Sequence, residues 1–322
     1  MIAMGKKEHK RHHYIPQCYL RNFSLDGHSL WTYDKVKSEK YTYPSAIDNI
    51  CCIEEFYTLP IGCVNMYDEE RKNQLFIECD FFAENIESQY CSMLQKIISN
   101  KEMWIDNPEQ LAITKEEKKE FASYITIQWL RTPYQRDKIK NFDDDVIPQM
   151  IRILQQGLAI EQNNPEIAKL KIDYQIDPVI EHASMTFMND ELVAKYSNAL
   201  LSGFWEFSVS SKNDIYTSDC PIVVEPHVKN VRPICEGLSS YGSEVSFPIS
   251  KNIILTIWDR EYFMDKSELD CKFMFLDEKE KRRKNWFRYF YTKRQLFSHD
   301  NQFDYLELAK FSNGGIHIFK GK

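Results

Sequence analysis

The sequence predicts an α+β fold, with a predominantly helical middle packed against short, mainly antiparallel strands from the N- and C-terminal parts. Three observations predict it. β-prone stretches rich in Tyr and Thr follow a short helical signal within 1–74, apolar residues recur at helical spacing through 75–202, and short β-prone pieces return over 203–322. No internal repeat and no low-complexity tract separates these regions, so a single domain over 1–322 is expected.

Element by element, Pro16 suits the first turn of a helix, where its missing N–H costs nothing, and Tyr19, Leu20 and Phe23 then share one face before Gly27 ends it. The stretches 29–33 and 40–43 read as a hairpin with a long polar turn, and 56–59 as a third strand. Phe82, Ile86, Tyr90, Met93 and Ile97 are spaced by four, four, three and four, as one helical face requires. Further helices are expected over 115–140, 144–162 and 177–201, the last with Asp177 as N-cap and Pro178 in its first turn. Strands are expected at 204–209, 215–217, 222–225, 245–248 and 253–258, and a last helix at 278–295.

A chain of 322 residues, 43% hydrophobic and 14% aromatic, can bury a large core. With 41 Lys and Arg against 48 Asp and Glu, the formal charge is −7, so no global field draws a polyanion and any nucleic-acid contact is a local patch. No secretory signal opens the sequence and no run approaches the roughly 20 apolar residues of a membrane span, which predicts a cytoplasmic location without membrane partners. Nine scattered Cys fit free thiols in a reducing compartment. There is no P-loop, dinucleotide-binding glycine pattern, HExxH or nucleophile elbow, so no nucleotide cofactor is expected. A divalent metal stays open.

Three islands carry the chain's most distinctive wording: His13-Tyr14-Ile15-Pro16-Gln17-Cys18-Tyr19-Leu20, Gln128-Trp129-Leu130-Arg131-Thr132-Pro133 and Thr217-Ser218-Asp219-Cys220-Pro221. In order and spacing, with Glu55-Phe56-Tyr57 and Phe247-Pro248-Ile249-Ser250, they resemble the family called domain of unknown function 4238. The resemblance covers most of the chain and supplies no substrate. Cys220 stands where that family is richer in Asn.

From the residues themselves, His13 lies just before a helix start, whose positive end favours a neutral ring able to act as a base; packing or capping is the competing role. Arg131 falls on an apolar helix side just before Thr-Pro ends the helix, so it is either an anion clamp or a buried partner for a carboxylate. Asp219, after a short strand, either orients His13 or Arg131 or closes its own turn. These three form the expected catalytic set of a hydrolase, a nuclease or other phosphoesterase that would suit a bacterial toxin or antiviral effector, with Gln17, Glu55, Gln128 and Ser218 as substrate-binding candidates. The alternative is a sensor or binding module for an anionic ligand, nucleic acid or protein, and aromatic surfaces leave room for a partner or a second copy.

Two clusters are weighed separately. Asp80, Glu84 and Glu87 lie roughly 125° from the apolar stripe on an α-helical wheel, which predicts a solvated face. Arg282, Arg283, Lys284 and Arg288, interleaved with Trp286, Phe287, Tyr289 and Phe290, fit phosphate tracking with base stacking, or a helix that buries its aromatic side and wets its basic one. His9, His12, His13 and Cys18 fit no standard zinc spacing, and Cys51, Cys52 and Cys63 do no better.

Overall fold

The computed structural model describes residues 10–37, 42–60, 74–172, 175–228 and 237–303. Strand β1 (Arg11–His13) leads into the short helix α1 (Gln17–Arg21), then strands β2 (Ser29–Asp34), β3 (Thr42–Ala46) and β4 (Cys52–Glu54). A π-helix, Ile77–Glu87, runs directly into α2 (Ser88–Asp106), followed by α3 (Lys115–Leu130), α4 (Pro133–Glu161), α5 (Pro178–Met185) and α6 (Asp190–Ser202). Strands β5 (Phe204–Val209), β6 (Thr217–Ser218), β7 (Val223–Pro226), β8 (Ser243–Ser250), β9 (Ile253–Trp258) and β10 (Lys272–Phe275) come next, then α7 (Glu278–Tyr291) and β11 (Gln295–Ser298). This is the α+β arrangement that the change of period predicts.

The largest sheet runs β10-β5-β9-β8-β7, antiparallel except for β10 against β5. Strands β8 and β9 are buried along their whole length, β9 as a mostly apolar run and β8 with Glu244 and its serines buried alongside Val245, Phe247 and Ile249. A four-stranded sheet, β3-β2-β11-β6, joins the N-terminal hairpin to the C-terminal part, and β1 pairs with β4. The main core packs Tyr19, Phe23, Tyr90, Phe121, Trp205 and Phe247 between α1, α2, α3 and the large sheet. A second core of Tyr57, Phe82, Leu130, Val179 and Phe187 lies beside the end of α3.

Local departures from expectation have local causes. The stretch 56–59 forms no strand: Glu55 takes a left-handed φ of 54°, turning the chain so that Phe56 and Tyr57 enter the second core. Asp177 does cap α5, accepting from Val179 and Ile180, but the expected 177–201 helix is two, because Asn189 opens α6 with its own cap. Helix α4 runs unbroken over the gap expected at 141–143, and its interior Pro148 lies on the exposed side. Among the described residues, no helix is long and apolar enough to cross a membrane.

Candidate functional site

A cleft of about 360 Å³ opens where β1, α1 and the π-helix meet, lined by His13, Gln17, Cys18, Arg21, Glu78 and Glu87, with Ser88 and Cys91. Arg131 lies behind this wall, bonded to Glu87 and to the His13 carbonyl. Only 1% of that residue is exposed. Its guanidinium lies 3.7 Å from the centre of the Phe82 ring, with Nη1 donating to Glu87 Oε1 at 2.8 Å and Nη2 to the His13 carbonyl at 2.6 Å. Arg131 sits at the C-cap of α3, and Thr132 and Pro133 start α4 at once, so the Arg-Thr-Pro wording makes the corner that aims this side chain back toward β1. Burial opposes the cation, but Glu87, Tyr57 and Glu78 together raise its pKa above the ordinary value.

The π-helix explains how two carboxylates reach one cation. Glu78 and Glu87 are nine residues apart, which an α-helix at 100° per residue sets on opposite faces. With i→i+5 bonding a turn takes about 4.4 residues, so nine residues make about two turns and both carboxylates fall on one face, with Phe82 between them. The expectation of a solvated face for Asp80, Glu84 and Glu87 is therefore corrected for Glu87, because the wheel used the wrong pitch. Glu84 is exposed, as expected.

Glu78 is the most perturbed acid here. Its carboxyl is pushed up to about 7, first by burial and also by Glu87, while Arg131 and the His13 N–H pull the other way. Its Oε2 is buried and has no hydrogen-bond partner among the described residues. His13 is shifted oppositely: burial lowers it most, and Arg131 adds to this, against a bond to the Ile47 carbonyl and the pull of Glu87 and Asp48. With one ring nitrogen donating to Ile47, its Nε2 is free to accept from Gln17 Nε2 at 3.4 Å, which describes a neutral ring. Arg21 in turn donates to Gln17 Oε1 at 2.9 Å from the exposed rim. Cys18 and Cys91 are hydrogen-bonded thiols, and burial pushes Cys18 well up, so Cys18 offers no ready thiolate.

Of the expected catalytic set, His13 and Arg131 meet and Asp219 does not join them. Its carboxylate, 7% exposed, accepts from the backbone N–H groups of Lys293, Arg294 and Gln295 at 3.0, 2.7 and 3.0 Å and ties β6 to β11. Ser218 Oγ accepts from Cys220 N within the same turn. Gln17 lines the cleft, whereas Gln128 donates to the Tyr14 carbonyl and lines a smaller cavity on the far side with Trp129, Cys220 and Lys293. Glu55 is exposed on its turn and bonds the Lys10 carbonyl through its backbone. His12 Nδ1 accepts from Tyr57 N and its ring stacks on Tyr57, a packing role. His9 and Cys63 lie outside the described residues.

The basic stretch of α7 is corrected most sharply. Lys281, Lys284, Asn285 and Arg288 form its buried stripe, while the aromatic residues are half-buried, with Tyr289 packed against Tyr33, or exposed, as Phe290 is at 61%. Lys284 pairs with Glu244 at 2.6 Å, both nearly inaccessible; Arg283 pairs with Glu225, Glu244 and Glu280; Arg288 donates to the Pro221 carbonyl and to Ser246. These cations neutralise buried acids and carbonyls, so only Arg282, itself paired with Glu278, is left on the surface from the expected nucleic-acid set. Among the described residues one metal-compatible set has its ligand atoms within 4.8 Å of one another, Glu225, His227 and Glu244. Arg283 already bonds both carboxylates, which fits an internal ion network better than a cation site.

Glu78, Arg21 and Cys91 were not foreseen, and Glu87 and Cys18 were weighed only as a solvated carboxylate and a zinc ligand. The signal for the acids was a nine-residue spacing that only a π-helical pitch makes meaningful. The family model described as a protein of unknown function (DUF4238) matches residues 11–302, and the chain belongs to that family. No curated protein and no solved structure matches it.

Proposed function

We propose that the cleft is the active site of a hydrolase in which His13 acts as general base and Glu78 as general acid, acting on a singly charged anionic ester, a phosphodiester first among them. The observation that carries this reading is the pair of ionisable groups lining one cleft with their pKa values pushed apart: a neutral imidazole with an accepting Nε2, and a carboxyl raised to about 7 with an unbonded oxygen. In mildly acidic solution the first holds a lone pair and the second a proton, the states a base and an acid need. Arg131 is a positioning residue here. Its two terminal nitrogens are committed to Glu87 and the His13 carbonyl, so Arg21 at the rim is the cation offered to substrate.

The sequence of events assigned to the cleft is short. An anionic group docks against Arg21, displacing the Gln17 contact. His13 Nε2 takes the proton of an attacking water, and Glu78 gives its proton to the leaving oxygen, ending as the carboxylate that Arg131 stabilises. We place the activity in the cytoplasm, a setting supported by the adjacent free thiols Cys18 and Cys91.

The test is hydrolysis by purified protein of RNA, single-stranded DNA and chromogenic phosphodiesters, with and without divalent metal. His13→Ala and Glu78→Gln should each lower kcat by about 10²–10⁴-fold with the fold intact, and Glu78→Gln should erase the alkaline limb of the pH profile. Arg21→Ala should act mainly on KM. A second reading, an anion sensor without turnover, draws support from the Gln17 amide on the His13 lone pair. Full ligand affinity in Glu78→Gln with no turnover by any variant would favour it.

A further inference from the structure

Helix α4 carries an apolar seam that nothing in the described fold covers. Val146, Met150, Ile153, Gly157 and Ile160 recur at spacings of four, three, four and three, with Phe142 four residues earlier, the 3.5-residue repeat of a coiled-coil seam. Phe142 is 52% exposed, Met150 50%, Ile153 67% and Ile160 82%, with Leu154 on the flank at 63%. The opposite face is occupied: Gln155 donates to the Leu170 carbonyl at 2.7 Å and holds the 167–170 turn there. Gly157 is the informative position. Glycine is the weakest helix former after proline, and a Cβ added there would meet no atom within 4 Å, so nothing in the described chain requires its smallness.

We propose that α4 pairs antiparallel with α4 of a second copy, forming a homodimer through this seam. Self-pairing accounts for the glycine: with the two helices opposed, Val146 of one copy faces Gly157 of the other, and the missing side chain lets the backbones approach. Charge selects the direction. A parallel pair would set Asp143, Asp144 and Asp145 against their own copies, whereas the antiparallel pair separates the two acidic triplets and brings Lys140 near the Glu161 end of the other helix. The six exposed large apolar side chains of α4, including Leu158, would bury on the order of 600 Å² per copy, about 1,200 Å² for the pair, which reaches the lower bound of a specific interface.

Sedimentation equilibrium of the full chain across about 1–100 μM tests this. The expected result is a reversible dimer, with Met150→Glu/Ile153→Glu monomeric at every concentration. Gly157→Leu guards against trivial unfolding: it improves helix propensity, so it should leave the monomer at least as heat-resistant while weakening dimerisation 10-fold or more. A wild-type chain that stays monomeric throughout overturns the proposal, and so does a dimer indifferent to both variants, which would mean another surface or another segment of the chain is involved. Neither result bears on the cleft.

Discussion

Replacing Glu78 with glutamine separates the carboxyl's chemistry from its contribution to folding, because the two respond to pH differently. Moving a buried carboxyl from 4.5 to about 7 costs about 3 kcal/mol once it is ionised, at 1.36 kcal/mol per pH unit. The folded pKa lies above the unfolded one, so the native state holds the proton more tightly and stability falls as pH rises between the two values. The penalty is absent below about pH 4.5, grows through the window and is complete above about 7. Glutamine keeps an oxygen for the His13 N–H and never ionises. Glu78→Gln should therefore match wild type near pH 4.5 and exceed it by about 2–3 kcal/mol at pH 8, a rise in Tm of about 2 °C per kcal/mol. Urea or thermal unfolding at both pH values measures it. A stability difference that does not change with pH, or a glutamine variant less stable at pH 8, would refute the assignment of Glu78 as an acid strained by burial, and with it the proton donor of the proposed mechanism.

Three further outcomes are expected. Arg131→Leu should cost about 3–5 kcal/mol at pH 7, since it leaves Glu87 and Glu78 beside each other without their cation; chemical denaturation reads it. Asp219→Asn should cost about 1–3 kcal/mol by loss of charge-assisted bonds to the three backbone amides of 293–295, yet leave turnover in the cleft unchanged, as a paired stability and kinetic assay would show. Lys284→Met should destabilise by about 2–4 kcal/mol at pH 7 by removing the most buried of the cations paired with Glu244 and leaving Arg283 to balance it. Lys284 and its other partners hold the Glu244 carboxyl well below its ordinary range against burial, so the stability it lends is present above about pH 4.5 and is lost as the solution is acidified further. The gap between Lys284→Met and wild type should accordingly shrink in strong acid, which a pH series of unfolding curves checks.

What could be read from the sequence was whatever local spacing determines. The strand–helix–strand order, the helix cap at Asp177 and the corner at Thr132-Pro133 all follow from residues whose preferences agree with their surroundings. Asp219 was misplaced for a reason of geometry: a carboxylate between a short strand and a proline satisfies three backbone N–H groups at the entry to β11, some 75 residues away, and no spacing rule reveals that partner. Glu78 was invisible because its significance depends on a helix pitch that is seldom assumed.

Helix α7 shows how the same reasoning can fail with the right residues in hand. A periodic wheel tells which side chains share a face but not which face is buried; that choice depends on what waits across the interface. The large sheet offers Glu244, Glu225 and Ser246 toward α7, and the segment before β7 adds the Pro221 carbonyl, groups that cannot be left unpaired under cover, and an aromatic stripe would have stranded them all. Turning Lys281, Lys284 and Arg288 inward satisfies that demand and leaves Trp286 and Phe290 stacked at the surface. The acids of β7 and β8, not the composition of α7, therefore decide its orientation. An exposed basic patch could not have been inferred for α7 without first asking where the buried carboxylates of the sheet find their cations.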